Sequence, residues 1–354
     1  MDSADSSNLD PAPRSAFYPI ARSSELKSAP MAVELFGTPL VLYRDATGRA
    51  AALLDRCPHR NAPLSMGKVR TGEIECPYHG WRFDGEGRCK AIPGLVSLGK
   101  PLRFRVPSYA AAELDGWVYV YGKAGERPNG PPPRFPFADD PRYTRVHAAI
   151  VAEGTIRDFA ENALDVPHTA FLHRGLFRTQ KKTHRVEVVV RRSRHWVEAQ
   201  YIGEPRPEGL IGRLLAPGGG EVEHYDRFFS PTTAQVEYRL GESSHIVVTT
   251  MFTPLGPEKT LFAAEAAVCL PSGIPTRTLA PALKPLAMQI LGQDLRMLRI
   301  IKEHNRRFDG PRYASTELDV LGAHIEAILR GSENEAEGPY GDEPVEVARV
   351  EMEI

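Results

Sequence analysis

Apolar and polar positions along this chain change rhythm at two places. From Phe17 to about Tyr121, short apolar runs alternate with turn residues. Leu40-Val41-Leu42-Tyr43 and Ala51-Ala52-Leu53-Leu54 flank Asp45-Ala46-Thr47-Gly48, the arrangement of a β-hairpin, and Phe83 to Arg88 reads as another turn. Trp117 to Tyr121 closes the series as a strand. The pattern predicts a small all-β module over 17–121, after a polar lead-in over 1–16. Gly122 to Pro141 is rich in proline and glycine and holds three consecutive prolines at 131–133. No helix or central strand continues through such a stretch, so 122–141 reads as a linker. Beyond it, Thr155 to Phe177 has a helical pattern. Strand-like runs follow at Val186 to Val190, Val197 to Ile202, Ala234 to Leu240, His245 to Phe252 and Phe262 to Leu270, then a long helix over about Thr276 to Arg307. Strands and helices segregated in this way predict an α+β second domain over 142–330, built on an antiparallel sheet.

Composition narrows the class. The chain has 354 residues, 42% hydrophobic and 25% charged, which suits a folded protein of two domains. A formal net charge of -1 gives no case for nucleic acid as a partner. From Gly331 onward eight acids face one base, Arg349, so 331–354 reads as a solvated, mobile acidic tail. No apolar run is long enough to span a membrane, and the N-terminus lacks the basic and apolar regions of a secretory signal. Four cysteines are too few for a disulfide framework, and a reducing, cytoplasmic compartment is expected.

The chemistry begins with two short strings. Cys57-Pro58-His59-Arg60 is followed by Cys76-Pro77-Tyr78-His79-Gly80-Trp81, both where strands give way to loops. Two thiolates and two imidazoles can make a structural zinc site. They can also make a Rieske centre, in which one iron takes two thiolates and the other two imidazoles. The unequal inner spacings and the glycine and aromatics around the second pair favour iron and sulfide. The string CPHR…CPYHGWRFD resembles the Rieske 2Fe–2S domain. That resemblance implies Cys57 and Cys76 on one iron and His59 and His79 on the other. Cys89 and Cys269 have no partner at ligand spacing and read as small apolar residues.

A second constellation runs from Glu161 to His173 and holds Asn162, Asp165, His168 and His173. On a helix, residues three apart share a face, so Asp165 can reach His168 and fix its tautomer. His168 and His173 are five apart and can bind one ion only where the backbone leaves a regular helix, which Pro167 allows. Downstream of a Rieske module, Asn-x-x-Asp-x-x-His-x-x-x-x-His resembles the mononuclear iron motif of the Rieske non-haem iron oxygenases. The whole chain follows that family's order, and the short length is similar to its monooxygenase and demethylase branch.

The resemblance implies a helix-grip (START-like) catalytic domain and a third iron ligand on the long closing helix, Asp294. Glu303 and Asp309, among basic residues, read as surface charges. His245 reads as a satisfied sheet histidine. One 2Fe–2S cluster and one mononuclear Fe(II) per subunit are expected, with O2 as cosubstrate. Asp165, with Asn162 beside it, would bridge His168 to His79 of a neighbouring subunit in a head-to-tail homotrimer. No Gly-x-Gly-x-x-Gly follows a strand, so electrons are expected from a separate NAD(P)H-dependent reductase, with or without a ferredoxin. The expected reaction is hydroxylation or O- or N-demethylation of an apolar small molecule: aromatic, alicyclic or steroid-like. The alternative is a Rieske electron-transfer protein whose second domain only binds a ligand.

Overall fold

A computed structural model describes residues 12–96, 102–173, 184–205, 221–241, 244–270, 276–331 and 340–353, with the side chains of 276–283 and 286 outside the description. The chain divides into two units. The first comprises residues 1–134 together with 252–261, and the second 135–251 with 262–354.

The first unit is all β. Its larger sheet joins β1 (Phe17–Arg22), β2 (Met31–Leu35), β3 (Thr38–Arg44), β4 (Ala50–Leu54), β9 (Ser108–Leu114) and β10 (Trp117–Ala124), in the order β1-β10-β9-β4-β3-β2. A four-stranded sheet of β5 (Lys68–Arg70), β6 (Glu73–Glu75), β7 (Arg82–Phe83) and β8 (Cys89–Ala91) carries one of the two ligand loops. The anticipated hairpin is β3–β4, and Asp45 shapes its turn by accepting from the backbone N–H groups of Thr47 and Arg49. Leu40 to Tyr43 are all fully buried, and Trp117 to Val120 form a matching buried run in β10. The lead-in is not wholly peripheral: Ala12 and Pro13 are buried, and the Tyr18 hydroxyl donates to the Pro13 carbonyl. The linker starts later than its proline content suggests, because β10 runs on to Ala124.

The second unit is built on an eight-stranded antiparallel sheet. Its strands are β11 (Thr144–Glu153), β12 (Arg185–Arg192), β13 (Trp196–Ile202), β14 (Val222–Phe229), β15 (Thr233–Leu240), β16 (Ser244–Gly256), β17 (Lys259–Cys269) and β18 (Val345–Glu353). Strands β12 to β17 follow one another across the sheet, with β11 beside β17 and β18 beside β12. Helix α1 (Ile156–Ala163) buries Ile156, Phe159 and Ala160 at helical spacing and packs against α4 (Gly322–Gly331), where Arg157 pairs with Glu326 at 2.9 Å. A Cβ on Gly154 would come within 2.6 Å of the Phe159 ring, so only glycine lets β11 turn so tightly into α1. Helix α3 (Thr276–Arg307) is the long closing helix, and it lies beside β11.

Four sequence expectations need correction. The helical pattern over Thr155 to Phe177 is two helices, α1 and the single-turn α2 (Thr169–Leu172), broken between Leu164 and His168; residues 174–177 lie outside the described residues. Within the segment read as an acidic tail, 345–353 is edge strand β18, paired from Arg185↔Glu353 to Arg192↔Val345, and 332–339 lie outside the described residues. Strand β14 was not anticipated, because it places His224 and Asp226 where apolar residues would mark a buried face. Finally, residues 252–261, the tip of the β16–β17 hairpin, belong to the first unit and not to a continuous domain over 142–330. There the Phe36 and Gly37 N–H groups donate to the Pro254 and Leu255 carbonyls, both at 2.7 Å, and the Thr253 hydroxyl donates to Pro19 at 2.6 Å.

Candidate metal centres

The two cysteine loops share one backbone design. In the first, which follows β4, the Cys57 N–H donates to Ala62 and the Asn61 N–H donates back to Cys57, at 2.9 and 2.8 Å. In the second, between β6 and β7, Cys76 donates to Trp81 and Gly80 donates back to Cys76, at 2.8 and 3.1 Å. The fifth residue of each loop has a left-handed φ, 61° at Asn61 and 70° at Gly80, which asparagine and glycine tolerate best. The histidine is the third residue in one loop and the fourth in the other, which accounts for the unequal spacing in sequence.

Both cysteines are buried, in a core with Leu64, Ile74, Trp81, Phe83, Cys89 and Val106, whereas His59 and His79 are exposed. The imidazole rings lie 4.5 Å apart. Burial, with Cys76 alongside, pushes the Cys57 thiol up to about 11, while the backbone N–H groups of His59 and Arg60 pull the other way. Those N–H groups are aimed at a sulfur that needs negative charge to bind metal. Partial loss of solvent, then His79 and Arg60, holds the His59 imidazole below its ordinary pKa and so in its ligating neutral form. The two thiols interact with each other in the core and the two imidazoles lie side by side nearer the surface, the pairing that a cluster with thiolates on one iron and imidazoles on the other calls for.

In the second unit the described residues offer one convergent group, His168, His173 and Asp294. His168 precedes α2 and His173 follows it, so this single turn, entered through Pro167, sets their separation. The two Nε2 atoms are 3.3 Å apart, and Asp294 Oδ1 lies 3.4 Å from that of His168 and 3.0 Å from that of His173. Ligand bonds of about 2.1 Å set at right angles would place neighbouring donors ~3.0 Å apart. The triangle therefore matches one face of an octahedron, the arrangement of two histidines and a carboxylate that suits non-haem iron(II).

One outer nitrogen is hydrogen-bonded; the other, His168 Nδ1, is buried without a hydrogen-bond partner, at ion-pair distance from a carboxylate. His173 Nδ1 meets Gln293 Oε1 at 2.7 Å, and His168 Nδ1 lies 3.4 Å from Asp165 Oδ2. With Nδ1–H held by Gln293, His173 turns its Nε2 toward Asp294. Burial opposes a proton on His168, but Asp165 and Asp294 outweigh it and raise its pKa to about 9. Asp294 Oδ1 is buried and has no hydrogen-bond partner. A site that draws a proton this strongly and leaves a carboxylate oxygen orphaned is built for a cation.

Asp165 thus reaches His168, though across a helix break and not along a helix face. Asn162 lies half-buried in the last turn of α1, and its amide makes no hydrogen bond to the triad. Gln293 was not anticipated from the sequence; its only mark there is its place beside Asp294. His245 is satisfied, with Nε2 2.8 Å from Glu237 and Nδ1 2.5 Å from the Tyr143 hydroxyl. Cys89 is buried, and its thiol approaches the Ala91 carbonyl at 3.7 Å.

A cysteine–histidine loop pair in an all-β unit, followed by a sheet unit with a facial two-histidine, one-carboxylate group, defines an oxygenase-type protein with two iron centres. Comparison with known proteins agrees. Residues 16–110 match the Rieske [2Fe-2S] domain, and 153–335, more than half of the chain, match the vanillate O-demethylase oxygenase C-terminal domain. The oxygenase component of dicamba O-demethylase from Stenotrophomonas maltophilia is 36% identical over 46% of this chain and 48% of its own. Chlorophyllide a oxygenase from Chlamydomonas reinhardtii is 35% identical over 46% of this chain and 25% of its own. The matches thus span about half, or less, of these relatives. A crystal structure of dicamba monooxygenase bound to dicamba superposes with a TM-score of 0.75 at 26% identity, covering 90% of this chain and 98% of that one. The chain belongs to the Rieske non-haem iron oxygenases. Its cofactors are a Rieske 2Fe–2S cluster and a mononuclear non-haem iron.

Proposed function

We propose that this chain is the terminal oxygenase component of a Rieske monooxygenase. It uses O2 and delivered electrons to hydroxylate, or to O- or N-demethylate, an apolar small molecule. The observation that carries the reading is the triangle of His168, His173 and Asp294, with edges of 3.0–3.4 Å, in a chain that also holds the paired cysteine–histidine loops. Cys57 and Cys76 would hold one iron of the cluster, and His59 and His79 the other. His168, His173 and Asp294 would hold the mononuclear iron, whose chemistry is activation of O2 beside a substrate. Gln293 keeps the His173 imidazole turned toward it, and Asp165 lies beside that of His168.

Asp165 has a second role in this reading. Its side chain is 46% exposed although it lies beside His168, which leaves it open to another subunit. In a head-to-tail homotrimer it would connect His168 to a neighbour's His79. Helix α3 supports such an assembly: Met297, Ile300 and Ile301 leave an apolar stripe exposed along it, and Phe308 just beyond extends it. Electrons would come from a separate NAD(P)H-dependent reductase, directly or through a ferredoxin. The site of action would be the cytoplasm; no helix among the described residues is long and apolar enough to cross a membrane.

The test is a panel of aromatic, alicyclic and steroid-like compounds incubated with the purified protein, a surrogate reductase, NADH and O2. Mass spectrometry should find a product that has gained one oxygen atom or lost one methylene. Metal analysis should give about three irons per chain. About two irons per chain and no product would instead support an electron carrier with a ligand-binding domain.

A further inference from the structure

The His59 imidazole has aromatic neighbours on two sides. One is the His79 ring; the other is the Trp81 indole, stacked at 4.8 Å with 7° between the planes. Trp81 is buried, and it meets the Phe104 ring at 4.9 Å. Phe104 is 49% exposed. His59, Trp81 and Phe104 therefore form a continuous line of π systems from a cluster-binding side chain to the surface. The segment that carries Phe104 is fixed along β8, where the Cys89 N–H donates to the Phe104 carbonyl at 3.0 Å and Arg88 bridges to Arg105.

The surface at the end of this line is basic. Arg103 and Arg105 flank Phe104, Arg60 follows His59, and all three are exposed with no acidic partner among the described residues. The nearby acids on the β7–β8 turn, Asp84 and Glu86, are held by Arg88 at 2.9 and 2.6 Å. An exposed aromatic ring among unneutralised guanidinium groups has the composition of an interface centre, where aromatics and arginine are enriched.

We propose that Phe104, with Arg60, Arg103 and Arg105, is the docking face for a small acidic one-electron carrier of the 2Fe–2S ferredoxin class, whose electron enters through Phe104 and Trp81 to His59. The proposal rests on the oxygenase-component reading, in which His79 serves the outlet. In each encounter the reduced carrier loses one electron and the cluster gains one, with no bond made or broken. Opposite charge steers such encounters, and the interfaces are small and transient. Input at His59 and output at His79 would let one cluster serve two partners through different sides.

The test uses the anaerobic holoprotein, with an acidic plant-type ferredoxin as the probe. Stopped-flow absorbance follows cluster reduction by the reduced ferredoxin, and calorimetry measures binding of the oxidised ferredoxin. Arg103→Glu/Arg105→Glu should lower the second-order rate and the affinity by about tenfold or more at low salt, with a flatter salt dependence. Its Rieske EPR signal and its reduction by dithionite should stay unchanged. Phe104→Ala should bind almost as the wild type does, yet transfer more slowly at saturating ferredoxin. A charge-matched control, Arg185→Glu/Arg330→Glu, should change neither quantity more than about twofold.

Wild-type binding and reduction in the Arg103→Glu/Arg105→Glu protein would overturn the docking face, as would a wild-type cluster that dithionite reduces and the ferredoxin does not. An undiminished saturating rate in Phe104→Ala would overturn the route. A wild-type protein with no Rieske EPR signal would remove the oxygenase reading itself, which separates the two failures.

Discussion

Gln293 acts on the triad without contributing a ligand atom to it. Its Oε1 accepts the Nδ1 proton of His173 at 2.7 Å, which fixes the tautomer that turns Nε2 toward Asp294. Gln293→Leu should weaken mononuclear iron binding by about 10- to 100-fold, as loss of such outer partners does, and leave the cluster spectrum untouched. Iron titration of the chelator-treated protein measures it. A second buried histidine bears on stability. His224 lies between Glu204 and Asp226, at 2.6 and 3.1 Å, with the Tyr201 and Tyr238 rings stacked on its two faces. Burial opposes its charge, but Asp226 and Glu204 prevail and raise its pKa to about 9 from the ordinary 6.5. The folded state thus holds this proton more tightly than the unfolded chain. The stabilisation is complete below about pH 6.5 and is lost as pH rises through about 9. Urea midpoints should fall over that window, and fall less in His224→Leu, which should itself lose about 3–5 kcal/mol by stranding buried carboxylates. The cluster ligands were legible because their chemistry needs fixed residue types at close spacing. Asp294 was legible only through family resemblance, and Gln293 was not, because an amide beside an acid on a helix carries no signal of its own.

At the scale of elements, two of the strands missed in the sequence, β14 and β18, share a cause: each departs from simple alternation. In β14 the inward positions hold His224 and Asp226, which satisfy each other and so hide the buried face. In β18 a register shift opposite Val190 and Arg191 changes phase, so Val345 and Val347 do not continue the alternation of Ala348, Val350 and Met352. The acids between them then looked like a solvated run. Deleting residues 344–354 should bare the β12 edge, where Val186, Val188 and Val190 are fully buried, and lower the melting temperature or cause aggregation. Differential scanning calorimetry and light scattering on the truncated protein test this. Helix α1 is capped by a reciprocal pair in which Thr155 and Asp158 each accept from the other's backbone N–H. Thr155→Ala should cost about 1 kcal/mol in a urea titration. The break after α1 was only partly legible, since Pro167 marked the discontinuity but not that His168 and His173 would bracket a single turn.

At the scale of the whole molecule, the proposed bridge through Asp165 has its own test. Asp165→Asn should keep both metal centres near full occupancy, yet the pre-reduced variant should fail to reoxidise its cluster when substrate and O2 are added. Stopped-flow absorbance decides it: reoxidation at the wild-type rate with full iron sites takes Asp165 off the path. The division of the chain also bears on how the protein is made. Residues 252–261 complete the first unit, yet residues 135–251 of the second come off the ribosome before them. Domains generally fold as units during synthesis, the N-terminal one first. Here the N-terminal unit must wait, with the Phe36 and Gly37 N–H groups unpaired, until much of its neighbour has emerged. A gene cut at the proline-rich linker would therefore encode a cluster module short of part of its own wall, and the two halves are better regarded as inherited and repaired together.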